Sequence, residues 1–255
     1  MSSNLVYVLS KVQFGEVTET AFRDAMDPLV DSLRKEYPIF DQKKEFRVFE
    51  VQVTPQGQDV VEQKLPMIAL VSATGDWGVR ITPQHALLQT KNYVSFEDFK
   101  SRMSDLLECL GANIPIYHTK FVGIRYVNKF EWDANTDFSS HFARLDFLQP
   151  TLKGAPSKAG SNLSCAYVTD AGVLSINSGV AVDQRIIPGD LLELAVDLNM
   201  ANEQREGPWA HLDLDSFRNF DDMVEFSRED ILSVLVELRA CVKTIYQEII
   251  TPPVS

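Results

Sequence analysis

The sequence predicts an α+β protein of two similar halves, each an antiparallel sheet backed by an amphipathic helix. Three observations point there. Runs of alternating apolar and polar residues are joined by short Gly- and Asp-containing turns. Two long helical stripes each open on Ser-x-x-Asp, at Ser95 and at Ser227. Strands are grouped ahead of a helix instead of alternating with one, which favours layered α+β over a parallel sheet.

Taken in order, Leu5–Val12 reads as a strand. Thr20–Tyr37 reads as a helix, with Phe22, Met26, Leu29, Val30 and Leu33 at helical spacing. Pro28 inside it predicts a kink or two short helices. Arg47–Val53 alternates as a strand, and Pro55-Gln-Gly57 follows as a loop. Met67–Ala73 and Trp77–Ile81 form an expected hairpin around Thr74-Gly75-Asp76, with His85–Lys91 as a shorter third strand. The helix opening at Ser95 presents Phe96, Phe99, Met103, Leu106, Leu107 and Leu110 on one face, with Gly111 as its expected stop.

Phe121–Trp132 is a long expected strand. Val122, Ile124, Tyr126 and Phe130 share one face, while Arg125, Lys129 and Glu131 take the other. Pro150–Ser161 is rich in Pro, Gly, Ser and Ala, and it sets the expected division: residues 1–149, a flexible connection at 150–161, and a second half at 162–255. Beyond it, Leu163–Thr169 and Val173–Val180 form a hairpin around Asp170-Ala171-Gly172. Leu191–Met200 and Ala210–Phe217 are expected to form another, joined by Asn202–Pro208. The last helix is capped by Ser227, carries Ile231, Leu232, Leu235, Leu238, Val242, Ile245 and Ile249, and ends at Pro252-Pro253. The fragments Val71-Ser-Ala-Thr-Gly-Asp-Trp-Gly-Val79 and Val168-Thr-Asp-Ala-Gly-Val173 are faintly alike, although turn chemistry alone produces such likeness.

Composition narrows the function classes. Apolar residues make up 45% and charged residues 24% of the 255, which is ordinary globular usage. No run approaches the roughly 20 uninterrupted apolar residues of a membrane span, and Met1-Ser-Ser-Asn lacks a basic leader. Cys109, Cys165 and Cys241 are scattered and odd in number, so no disulfide framework is expected. These features predict a cytoplasmic protein. The formal net charge is −12, and Asp190–Glu248 holds 14 acidic residues against five basic ones. Such a surface repels phosphate, argues against nucleic-acid binding and favours a basic protein partner. The only basic cluster, Arg34, Lys35, Lys43, Lys44 and Arg47, is interrupted by acids.

Motifs for phosphate loops, dinucleotide binding, zinc proteases, paired Cys-x-x-Cys and nucleophile elbows are missing from the sequence. No catalytic residue, metal ligand or cofactor is therefore assigned. His118 and His141 have no carboxylate or cysteine at useful spacing, and His85 reads as a strand residue. Two constellations remain. His211, Asp213 and Asp215 share one face of a strand, with Leu212 and Leu214 on the other. Adjacent side chains there are about 7 Å apart, too widely spaced for one metal without help from another segment. In Gly123-Ile-Arg-Tyr-Val-Asn128, Asn128 falls on the apolar face with Tyr126, where a buried amide needs partners. Arg125 points the other way, either to clamp an anion or to pair with Asp213 or Asp215 across strands.

Three landmarks, Gly123-Ile-Arg-Tyr-Val-Asn128, Leu212-Asp-Leu-Asp-Ser-Phe217 and Leu238…Ile245…Ile249-Ile-Thr251, resemble those of one group. It is a sporadically distributed family of uncharacterised bacterial proteins of about 250 residues, and the likeness runs from about Leu5 to Thr251. The hairpin around Gly75, leading into Tyr93 and Phe96–Phe99, is similar to its middle section. The resemblance implies matching positions at Arg125, Tyr126, Asn128, Asp213 and Asp215, but not at His211. Its patchy distribution is similar to that of defence and toxin–antitoxin genes. The expected function is thus a non-enzymatic interaction or regulatory protein with a co-encoded, basic partner, possible sites being Arg125, Tyr126, Asn128, His211, Asp213 and Asp215. The alternative is a small-ligand-binding protein or enzyme with a pocket between the halves.

Overall fold

The computed structural model describes residues 4–40, 45–54, 57–131, 138–148 and 160–250. Nine strands form one antiparallel sheet: β1 (Leu5–Phe14), β2 (Ile39–Phe40), β5 (Ile68–Val71), β6 (Trp77–Ile81), β7 (His85–Thr90), β8 (His118–Glu131), β9 (Leu163–Thr169), β10 (Gly172–Val182) and β11 (Pro208–Glu225). Their order across the sheet is β2-β5-β6-β7-β1-β8-β11-β10-β9. A separate hairpin pairs β3 (Glu45–Thr54) with β4 (Gly57–Pro66).

The expected pair of sheets is one sheet. β8 and β11 run antiparallel from Trp209↔Glu131 through Asn219↔Phe121, so hydrogen bonds join strands on both sides of the Pro150–Ser161 stretch. Of the expected connection at 150–161, all but Gly160 and Ser161 lies outside the described residues, as do Trp132 and Pro252-Pro253.

Three long helices cover one face: α1 (Glu19–Leu33), α2 (Phe96–Asn113) and α4 (Arg228–Ile249). Alternation along the strands dictates what meets them. Val122, Ile124, Tyr126 and Phe130 of β8, with Leu212 and Leu214 of β11, join Phe99, Met103, Leu235 and Leu238 in one core. Phe99 and Phe130 are fully buried, and truncating either to Ala costs about 3–5 kcal/mol.

The helix ends follow their local chemistry. Ser95 Oγ accepts the Asp98 N–H at 3.1 Å, and Ser227 Oγ accepts that of Asp230 at 3.2 Å. α2 runs two residues past Gly111, because Ile114, which precedes Pro115, is the residue barred from helical backbone; the Asn113 amide caps the Cys109 carbonyl at 2.8 Å. α1 passes through Pro28 as one helix, not two. Among the described residues, no helix is long and apolar enough to cross a membrane.

The largest departure lies at Leu191–Met200. The expected strand is instead a series of short helical turns, Gly189–Leu191, α3 (Leu192–Ala195) and Val196–Leu198. They belong to a strap, residues 183–207, that connects β10 to β11 across the face opposite the three long helices. Its apolar residues serve a helical period: Leu191, Ala195 and Leu198, with Ile187 and Met200, pack on Tyr7, Leu9, Leu87 and Val127. Asp183 and Gly207, both with left-handed backbone, close its base, where the Gly207 N–H donates to Asp183 Oδ1 at 2.7 Å. Above them, the Ile186 N–H donates to the Glu203 carbonyl at 3.1 Å.

Candidate functional site

The strap meets the sheet through two arginines. At its far end Arg80, on β6, is buried. Its guanidinium donates to both carboxylate oxygens of Asp197, to Glu193 Oε1 at 2.9 Å and to the Glu193 carbonyl at 2.6 Å. Gln89 Nε2 donates to Asp197 Oδ2 at 3.1 Å, and the Tyr7 hydroxyl donates to Gln89 Oε1. Lys91 Nζ donates to the Leu198 carbonyl at 3.0 Å. Burial works against the Arg80 cation, but the hydrogen bonds it donates to Asp197 and Glu193, with their negative charges, more than offset it and raise its pKa. The polar groups of this end are matched by others from the protein.

The other end is built by the alternation of β8, β10 and β11. Cross-strand register sets Arg125 opposite Asp215, Asp213 opposite Val127 and Asn177, and Asp215 opposite Ser175. These side chains all project to the strap side, because successive strand residues alternate faces. Arg125 donates Nε to Asp213 Oδ1 at 2.9 Å and Nη2 to Asp213 Oδ2 at 2.6 Å, a bidentate fork. It also reaches up to Asp190 of the strap, Nη1 to Oδ2 at 2.5 Å. Burial opposes the Arg125 cation, yet its two carboxylate partners raise its pKa. Partial burial pushes Asp190 up, but hydrogen bonds from Arg125 leave it below the usual carboxylate range. Burial raises Asp213 against the pull of the same arginine.

Between strap and sheet at this end lies a cavity of about 990 Å³, lined among others by Arg125, Asn177, Asp190, Trp209, His211 and Asp215. It lies in the size range of small-ligand sites, about 300–1,000 Å³. Unlike the Arg80 end, its groups are not all matched. Asp215 has no hydrogen-bond partner among the described residues, and burial pushes its carboxyl up to about 6. The Trp209 Nε1–H and His211 Nδ1 are enclosed and likewise lack partners among the described residues. The Trp209 and His211 rings meet edge to face at 5.9 Å, and burial lowers the His211 imidazole to about 4, so it is neutral at pH 7.

The six residues singled out from the sequence do not form one site. Arg125, His211, Asp213 and Asp215 line the cavity. Tyr126 and Asn128 face the helices on the other side of the sheet: Asn128 Nδ2 donates to the Leu212 carbonyl at 3.1 Å, and Tyr126 stacks edge to face on Tyr93 at 5.8 Å. Asn128 is therefore a structural amide. Sequence reasoning missed Trp209, although it continues the His211/Asp213/Asp215 alternation by one step. It also missed Asp190, which no local pattern ties to Arg125.

No protein-family model matches the chain, and no curated protein matches it. The chemistry of the cavity has to be argued from its residues. Among the described residues, no group of three His, Cys, Asp or Glu side chains could hold a metal ion. Arg125 is saturated by two carboxylates and does not offer a free anion clamp. Among the residues that line the cavity, the four acids Asp183, Asp190, Asp213 and Asp215 outnumber the two arginines, Arg125 and Arg185, by two. The arrangement is suited to holding a cation.

Proposed function

We propose that this protein is a non-enzymatic binding protein that takes a basic group of its partner into the strap-covered cavity. The observation that carries this reading is Asp215, a half-buried carboxylate of the cavity that Arg125, engaged by Asp190 and Asp213, does not bond. A half-buried carboxylate without an ion-pair partner attracts an ammonium or guanidinium more strongly than a fully exposed one does. The overall charge of −12 steers a basic partner toward the protein from a distance. The resemblance to a sporadically distributed bacterial family supports a partner encoded nearby, in a defence or toxin–antitoxin-like setting.

Titration of the isotope-labelled protein with tetralysine tests the reading. Resonances of Asp215, His211 and the Trp209 indole should shift in a saturable way. Added salt should weaken the binding, and Asp215→Asn should weaken it about tenfold or more. Shifts confined to the outer acidic surface, or unchanged by Asp215→Asn, would contradict it.

A further inference from the structure

The sheet ends on β9, whose outer side pairs with no strand among the described residues. Such an edge is an open row of N–H and C=O groups, which soluble proteins blunt with charged side chains, proline or a bulge. β9, Leu163-Ser-Cys-Ala-Tyr-Val-Thr169, has none of these: it carries no charge and no proline, and its register with β10 is unbroken over its seven residues. β2, at the opposite edge, is only two residues long and offers little to pair with. Beside the open backbone of β9, Val168 is 92% and Tyr167 49% exposed. The register shows which amides are open. The Ser161 N–H donates to the Val180 carbonyl at 2.8 Å, and alternation from there turns the amides of Leu163, Cys165, Tyr167 and Thr169 toward β10. Those of Ser164, Ala166 and Val168 point outward.

We infer that β9 is an interface with a second copy of this chain, paired antiparallel to itself about a two-fold axis at Ala166, the middle of the strand. The open amides suit an isologous contact, because Ala166 meets Ala166 of the second copy and Ser164 meets Val168. The side chains fit the same register. On the strap side exposed Val168 comes opposite the small Ser164, and on the helix side Tyr167 comes opposite Cys165, large against small at each step. Asp170, in the turn, comes level with Asn162, so like charges do not meet along the strand. A basic partner would find no acid on β9 to pair with, whereas a second copy brings the complementary sequence. The axis stands perpendicular to the sheet, so the two nine-stranded sheets join into one and both straps face the same side. An interface one strand wide is small, and the dimer is therefore reversible and concentration-dependent.

Sedimentation of the full chain from about 1 µM to about 1 mM, with amide exchange at both ends of that range, tests it. Dimers should form as concentration rises, and the Ser164, Ala166 and Val168 amides should exchange about tenfold more slowly, or slower still, at the upper end. Ala166→Pro deletes one outward donor and no hydrogen bond to β10, while Val168→Lys sets a charge on the edge. Each should weaken the dimer about tenfold or more and leave the monomer's melting temperature unchanged. A chain that stays monomeric at about 1 mM would overturn the inference. So would a dimer that either variant leaves intact, or exchange of the three amides at one rate throughout, whether open or covered by the chain's own residues.

Discussion

The two ends of the strap use the same device and finish it differently. At each, an arginine on the sheet forks onto a buried aspartate and reaches a second acid on the strap. At the Arg80 end, Gln89, itself held by Tyr7, completes the hydrogen bonding of Asp197, the second acid Glu193 stands in solvent, and the apolar residues Leu191, Ala195 and Leu198 close over the contact. At the Arg125 end a third acid, Asp215, is added without a partner, and a cavity replaces the apolar seal. A buried ion pair needs its remaining polar groups satisfied to avoid a net penalty. The first end meets that condition and is an anchor. The second does not meet it unaided, and it is there that a ligand has something to offer.

The largest effect should come from breaking the anchor. Arg80→Met leaves Asp197, almost entirely enclosed, without its cation, and should cost about 3–5 kcal/mol in chemical denaturation. A loss below about 1 kcal/mol would show that water reaches Asp197 and that the contact is no anchor. The matching change at the other end should cost less. Arg125→Met frees Asp213 and Asp190, but Asp190 is largely exposed and Asp213 borders the cavity, so a loss of about 2–3 kcal/mol is expected from the same experiment. Equal losses would erase the distinction between the ends.

How much of this was legible in the sequence depends on how local the signal is. The capped helices at Ser95 and Ser227 could be read because cap and stripe lie within a few residues of each other. The face carrying His211, Asp213 and Asp215 could be read because strand alternation has a fixed period of two. The strap could not. In Leu191-Leu-Glu-Leu-Ala-Val-Asp-Leu198 apolar residues are dense enough to satisfy a strand or a helix, and packing on Tyr7, Leu9 and Leu87 decides for the helix. The single sheet rests on β8 meeting β11, and the Asn128 contact across that seam joins residues 84 apart in the chain. The site itself depends on Asp190 reaching Arg125 from 65 residues away, which no motif announces. β4 was missed because Gln58-Asp59 and Glu62-Gln63-Lys64 break the apolar alternation that marks a strand.

The central claim is that the protein keeps Asp215 uncompensated at a cost to its own stability. Folding raises the Asp215 carboxyl from its ordinary value of 3.8 to about 6, so the native state binds its proton more tightly than the unfolded chain does. The sign follows: stability falls as pH rises from about 4 to about 6, and the full penalty is present above that window. Asp215→Asn removes the titration and keeps the shape. Its stability relative to the unaltered protein, measured by denaturant unfolding at intervals from pH 3.5 to 8, cancels the contributions of the buried histidines, which both proteins share. The account predicts that Asp215→Asn is more stable by about 1–2 kcal/mol at pH 7.5, that the gain disappears near pH 4, and that Asp197→Asn at the anchor is instead less stable at pH 7.5. An Asp215→Asn variant that is destabilised at pH 7.5, as the anchor variant is, would contradict it.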